Sequence, residues 1–155
     1  MASDATETIT HEVRIAARPE TVFRFFTEPE LMARWKGRVA RLDPRVGGEY
    51  HVEVSGTDIA RGEYVEIDPP KRIVFTWGWL GEDHPVPPGS TRVEITLEPD
   101  GDETVVRLVH SELPAGAGAS HAEGWNFFLP RLAVAAAGGD PDRDVDISDG
   151  RSSEV

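Results

Sequence analysis

The chain has 155 residues, 39% of them hydrophobic and 28% charged, and a formal net charge of −12. That length fits one domain with a packed core, and the negative charge disfavours nucleic acid and anionic membrane surfaces as partners. There is no cysteine, hence no disulfide or thiol chemistry. No apolar run is long enough for a membrane span and no signal-peptide pattern opens the chain, so a cytoplasmic protein without membrane insertion is expected.

Residues 1–7 are polar and are expected to be a disordered tail. "TITHEVRIAA" then alternates, with Ile9, His11, Val13 and Ile15 on one face, as a half-buried strand does. In "RPETVFRFFTEPELMARW", Pro19 suits a first helical turn, and Pro29 divides the segment into two short helices. Trp35 closes the second, where it is placed to cap the sheet. "GRVARLDPRVGGEYHVEVS" holds two strands around Gly47-Gly48, and "DIARGEYVEIDPPKRIVFTWGW" two more around Pro69-Pro70. The last of these puts Ile73, Phe75, Trp77 and Trp79 on one face. "TRVEITLEPDGDETVVRLVHSEL" is a hairpin with Asp100-Gly101 at its tip and Val106, Leu108 and His110 along one face of the return strand.

The last element, "SHAEGWNFFLPRL", is the only long helix. Ser120 and Glu123 match a capping box. At 100° per residue, His121, Trp125, Phe128, Leu129, Leu132 and Ala136 share one arc, while Phe127, Pro130 and Arg131 lie opposite. Pro130 removes one helical hydrogen bond on the side away from the core. The acidic stretch from Gly138 to Val155 has no periodicity and is expected to be disordered. The domain is thus residues 8–137. Strands joined by short turns make an antiparallel sheet, and the long helix is the element available to cover its apolar face.

With these pieces in place, "VRIAARPETVFRFFTEPELMARW", "GGEY", "RGEYVEIDPPKRIVFTW" and "LVHSELP…HAEGWNFFLPRL" resemble, in that order, the bacterial proteins similar to the C-terminal domain of the Aha-type activator of the heat-shock chaperone ATPase. Those proteins belong to the START-like, or SRPBCC, superfamily. The resemblance implies an α+β helix-grip fold: a curved antiparallel sheet of about six or seven strands around a long C-terminal helix, with two short helices after the first strand. It also implies a pocket between sheet and helix. Superfamily members bind apolar or amphipathic small molecules, and a minority are cyclases or aromatases acting on polyketides. The chaperone activator uses a further N-terminal domain that this chain has no room for, which weighs against a chaperone partner. The bend at Pro130 and the end at "AAAGG" imply a shorter final helix than the family norm.

The expected function is therefore non-catalytic binding of a lipid-like or polyketide-like molecule, with no cofactor. The alternatives are a cyclase or aromatase using His110 or His121 as general acid–base, and a chaperone-related interaction module. Ligand contacts are expected from Trp77, Trp79, Trp125, Phe75, His110, His121 and Glu63, because pockets combine apolar walls with a few convergent polar groups. Glu63 shares a strand face with Arg61, and the simpler reading of that pair is a structural ion pair. His11, His110 and His121 point to the sheet–helix side, but no spacing joins them as metal ligands, and no metal is expected. His51 shares its face with Glu49 and Glu53 and is expected to be exposed. The loop from Gly81 to Gly89, which contains His84, is long for a hairpin and is a candidate lid. Phe127, on the outer face of the helix, is a candidate homodimer contact.

Overall fold

The computed structural model describes residues 6–36, 39–54, 58–80, 86 and 88–141, the side chain of Ser120 excepted. The chain runs β1 (Thr6–Ile15), α1 (Pro19–Arg24), α2 (Pro29–Trp35), β2 (Val39–Leu42), β3 (Glu49–Glu53), β4 (Ile59–Asp68), β5 (Arg72–Trp77), β6 (Thr91–Asp100), β7 (Glu103–Pro114) and α3 (Gly118–Ala136). The seven strands form one sheet in the order β1-β7-β6-β5-β4-β3-β2. Every pairing is antiparallel. This is the helix-grip arrangement, with two short helices after β1 and a long helix at the end.

Each short helix opens on a proline in its first turn, where the missing N–H has no intrahelical partner to lose. They bury Val22, Phe23, Met32 and Trp35. In β1 and β6 burial alternates with period two, the signature of a sheet with one packed face. Sheet curvature has a local cause. Register shifts occur between Tyr64 and Glu66 in β4 and between Glu7 and Ile9 in β1, and such bulges bend and twist a strand. At the second, Glu112 on the partner strand adopts a φ of 64°, unusual for a residue with a side chain. Gly62 lies so close to β5 that a Cβ there would strike the Thr76 carbonyl.

Helix α3 packs along β1 and against α2. Its buried side chains among the described residues are Trp125, Leu129, Leu132, Ala135 and Ala136, with His121 and Phe128 half-buried. Pro130 is exposed, so the side that lacks a hydrogen bond faces away from the sheet.

Three local expectations need correction. The helix begins at Gly118, two residues before Ser120, and its N-cap, Ala117, supplies no side-chain bond. The free amides are instead capped from β1: the Glu7 carboxylate accepts from Gly118 N at 2.6 Å and Gly116 N at 3.0 Å. Those two bonds hold the Glu7 carboxyl below its ordinary range. Thr6 and Glu7 therefore belong to the fold and not to a disordered tail. Gly138 to Pro141 are likewise tied in, as Arg34 donates to the Gly139 carbonyl and Arg131 to that of Pro141. Residues 1–5 and 142–155, the remainder of the expected tails, lie outside the described residues.

His51 is the third correction, being only 6% exposed. It sits on the outer face of β3, between Arg41 on β2 and Arg61 on β4 in register. Those long side chains, with Glu49, cover it. Burial and the two guanidinium charges lower its pKa.

Candidate functional site between sheet and helix

The site lies where the end of β5 and the middle of β7 face the first two turns of α3. β5 contributes Trp77, the bridge that follows it Trp79, β7 His110, and α3 His121 and Trp125. Trp77 is the hub. Its ring centroid lies 4.7 Å from that of Trp79, 5.0 Å from His110, 5.3 Å from His121 and 6.2 Å from Trp125. Most of these contacts are edge-to-face, the arrangement favoured by the ring quadrupoles. Trp77, Trp125 and His110 are buried, while Trp79 and His121 are half-buried at the rim.

Hydrogen bonds fix the state of both histidines. An indole N–H can only donate, so the 3.0 Å bond from Trp125 Nε1 makes His110 Nδ1 an acceptor. Its Nε2–H then donates to Thr91 Oγ1 at 2.8 Å, and that hydroxyl passes its own hydrogen to the Trp77 carbonyl at 2.6 Å. His110 is thereby held as the neutral Nε2–H tautomer. Burial above all, helped by the neighbouring His121, Lys36 and His11, pushes its pKa down to about 3. His121 takes the opposite tautomer. Its Nε2 accepts from Trp79 Nε1 at 3.2 Å, and its Nδ1–H donates to the Ala117 carbonyl at 2.8 Å.

One participant was missed by sequence reasoning. Lys36, the C-cap of α2, is only 2% exposed. Its Nζ lies over three rings, 4.5 Å from the centroid of Trp125, 5.1 Å from Phe128 and 5.4 Å from Trp77. Such contacts attract a cation, but burial still lowers its pKa to about 7. The signal available in the sequence was weak: Lys36 is one of only two lysines and directly follows a helix-closing tryptophan.

Of the remaining expected site residues, Phe75 lies deeper in the sheet, stacked on Tyr50 at 4.2 Å. Glu63 does not join the cluster. It is exposed on the outer face of β4, because Ala60 and Tyr64 are the residues of that strand turned inward. Nor does it pair with Arg61, whose carboxylate partner is Glu49 at 3.8 Å. His11 lies on the inner face, with its Nε2 buried and without a hydrogen-bond partner among the described residues. Trp35 is a core residue that donates to the Phe25 carbonyl at 3.0 Å. The candidate lid falls largely outside the described residues. Val86 is fully buried there and its carbonyl accepts from Trp79 N.

Comparison with known proteins follows the same lines. Residues 16–137 match the family described as activator of Hsp90 ATPase homolog 1-like protein. The chain belongs to this family. Among solved structures, an AHSA1-like protein from Rhizobium etli is 42% identical, with 90% of this chain and 88% of that one covered and a TM-score of 0.72. DynU16, a protein in the dynemicin biosynthetic locus, is 26% identical over 88% of this chain and 49% of its own, with a TM-score of 0.75. The Aha1 dimer from Colwellia psychrerythraea shares the fold at 23% identity, covering 86% and 98% of the two chains, with a TM-score of 0.71. No curated protein matches the sequence. Among the described residues no helix is long and apolar enough to cross a membrane.

Proposed function

We infer that this AHSA1-like domain binds a small apolar or amphipathic molecule between the sheet and the start of α3, and does not transform it. The observation that carries the reading is the graded aromatic cluster. Trp79 and His121 stand at a half-buried rim, Trp77 and Trp125 continue inward, and the amine of the buried Lys36 lies over both inner rings and the half-buried Phe128. A wall of flat apolar surface with a few polar groups is the usual make-up of a small-molecule site. The relation to a protein in the dynemicin biosynthetic locus is consistent with a polyketide-like ligand.

The state of the histidines favours binding over catalysis. A general acid–base works best with a pKa near the operating pH and a nitrogen free to reach substrate. His110 has both nitrogens committed to protein groups and a pKa near 3. Each nitrogen of His121 is also engaged.

A thermal-shift screen with fatty acids, sterols and aromatic polyketides tests the reading. A rise in melting temperature with at least one class is expected, and it should be lost in Trp125→Ala. A flat response across all three classes, or release of a chemically altered ligand, would sink it.

A further inference from the structure

We propose that the site selects ligands carrying a carboxylate, whose oxygens are held by Lys36 Nζ and Trp77 Nε1. The proposal rests on the binding function inferred above and names the chemical class of its ligand.

In this cluster a buried indole N–H has no acceptor among the described residues, and a buried residue's amine lies over the same indole. Trp77 is 2% exposed, and its Nε1–H has no hydrogen-bond partner among the described residues. Lys36 Nζ lies over that same indole and two further rings, and burial alone lowers its pKa, with no carboxylate opposing the shift. Buried polar groups are ordinarily paired, and an unmatched one carries a desolvation penalty of about 1–3 kcal/mol, more if charged. The contrast with the other indoles is direct, since Trp35, Trp79 and Trp125 each donate to a named acceptor.

The surroundings favour an anion over a neutral acceptor. The titratable and charged groups around the amine are His110 from β7, His121 and Arg131 from α3, and His11 from β1. His110 and His121 lie 5.5 Å apart, and both His121 and Lys36 help to lower the His110 pKa. Arg131 donates to the carbonyl of Trp35, next to Lys36. None of these is acidic, although the chain as a whole is strongly so. A carboxylate offers the counter-charge that the fold omits. It also accepts two donors at once, and the aromatic walls suit an apolar body attached to it.

Calorimetry with two matched pairs, decanoate with decan-1-ol and 2-naphthoate with 2-naphthylmethanol, tests this on the intact chain. In at least one pair the carboxylate should bind at least tenfold more tightly than the alcohol at pH 6. Its affinity should then fall about tenfold between pH 6 and pH 8 as Lys36, with a pKa of about 7, loses its proton, because only the charged fraction is competent. The alcohol should show no such dependence. Lys36→Met should lose the preference of carboxylate over alcohol. Trp77→Phe, which keeps a ring, should weaken the carboxylate severalfold. Circular dichroism confirms that each variant is folded. Equal binding of acid and alcohol, or a preference that survives in Lys36→Met, overturns the proposal while leaving a binding pocket intact. If neither member of either pair binds, the proposal falls together with the pocket reading for these ligands.

Discussion

Two aromatic clusters lie on the same side of the sheet and behave differently. One gathers Phe26, Trp35, Tyr50, Tyr64 and Phe75. Tyr50 stacks on Phe75 at 4.2 Å, Phe26 meets the edge of Trp35 at 5.5 Å, and Tyr64 meets both Tyr50 and Phe75. Two of its polar handles are spent locally: Trp35 donates to the Phe25 carbonyl and Tyr64 to that of Phe26 at 2.8 Å. These bonds tie the loop after α1 to α2 and to β4. The other cluster gathers Trp77, Trp79, Trp125, His110 and His121 at similar ring spacings, yet encloses a lysine amine and, at Trp77, a buried indole N–H with no acceptor among the described residues. Ring packing alone does not tell the two clusters apart. The unmatched indole N–H of Trp77 does, because an unmatched buried polar group destabilises the fold and calls for an explanation.

The comparison breaks first at Trp35. Trp35→Ala should destabilise by about 3–5 kcal/mol, through the cavity it leaves and the carbonyl it abandons, and should unfold earlier in urea than any single variant of the second cluster. Lys36→Met should do the reverse. Replacing a buried ion by an apolar side chain is often stabilising, by about 1–4 kcal/mol. The sign follows from linkage. Lys36 loses its proton near pH 7 when folded and near pH 10.5 when unfolded, so the unfolded state holds more protons between those values and wild-type stability rises with pH across them. The gain from Lys36→Met should be complete below pH 7 and vanish above about pH 10.5 in denaturation series.

His110 acts in a lower window. It stays neutral in the fold down to about pH 3 but takes a proton near 6.5 when unfolded. Stability should fall by up to about 1.4 kcal/mol for each pH unit from 6.5 toward 3. His110→Gln should flatten that slope while being less stable at pH 7, since Trp125 Nε1 loses its acceptor. A slope unchanged in this variant would mean that other groups set the acid limit. The smallest effect is expected at Glu7. Glu7→Ala should lower the melting temperature slightly at neutral pH by uncapping α3. Because the folded carboxyl sits below 4.5, the difference from wild type should fade as pH falls through that lower value.

Much of the architecture was legible because periodicity reports burial directly. The alternation in "TITHEVRIAA" placed Ile9, His11, Val13 and Ile15 on the inner face of β1, where they are. The helical arc placed Trp125, Leu129 and Leu132 inward and Pro130 outward. Periodicity misled where neighbours, and not the strand's own phase, decide exposure. His51 is on the polar face as its flanking glutamates suggested, yet Arg41 and Arg61 from two other strands cover it. Strand phase alone leaves Glu63 a pocket candidate, but the inward turn of Tyr64 beside it puts Glu63 outside. Ser120 and Glu123 matched a capping pattern, but the helix starts earlier because a carboxylate from β1 reaches its first amides.

The sequence by itself determined the order of elements, the antiparallel sheet, the covering helix and most of the inward-facing aromatic residues. All of these follow from local spacing and turn chemistry. The tertiary structure alone decided that Lys36 lies inside, that His110 and His121 are locked in opposite tautomers, and that Trp77 keeps a donor to spare. Each of these depends on atoms brought together from α2, β5, β7 and α3, and a one-dimensional pattern carries no information about which distant acceptor a buried donor will find.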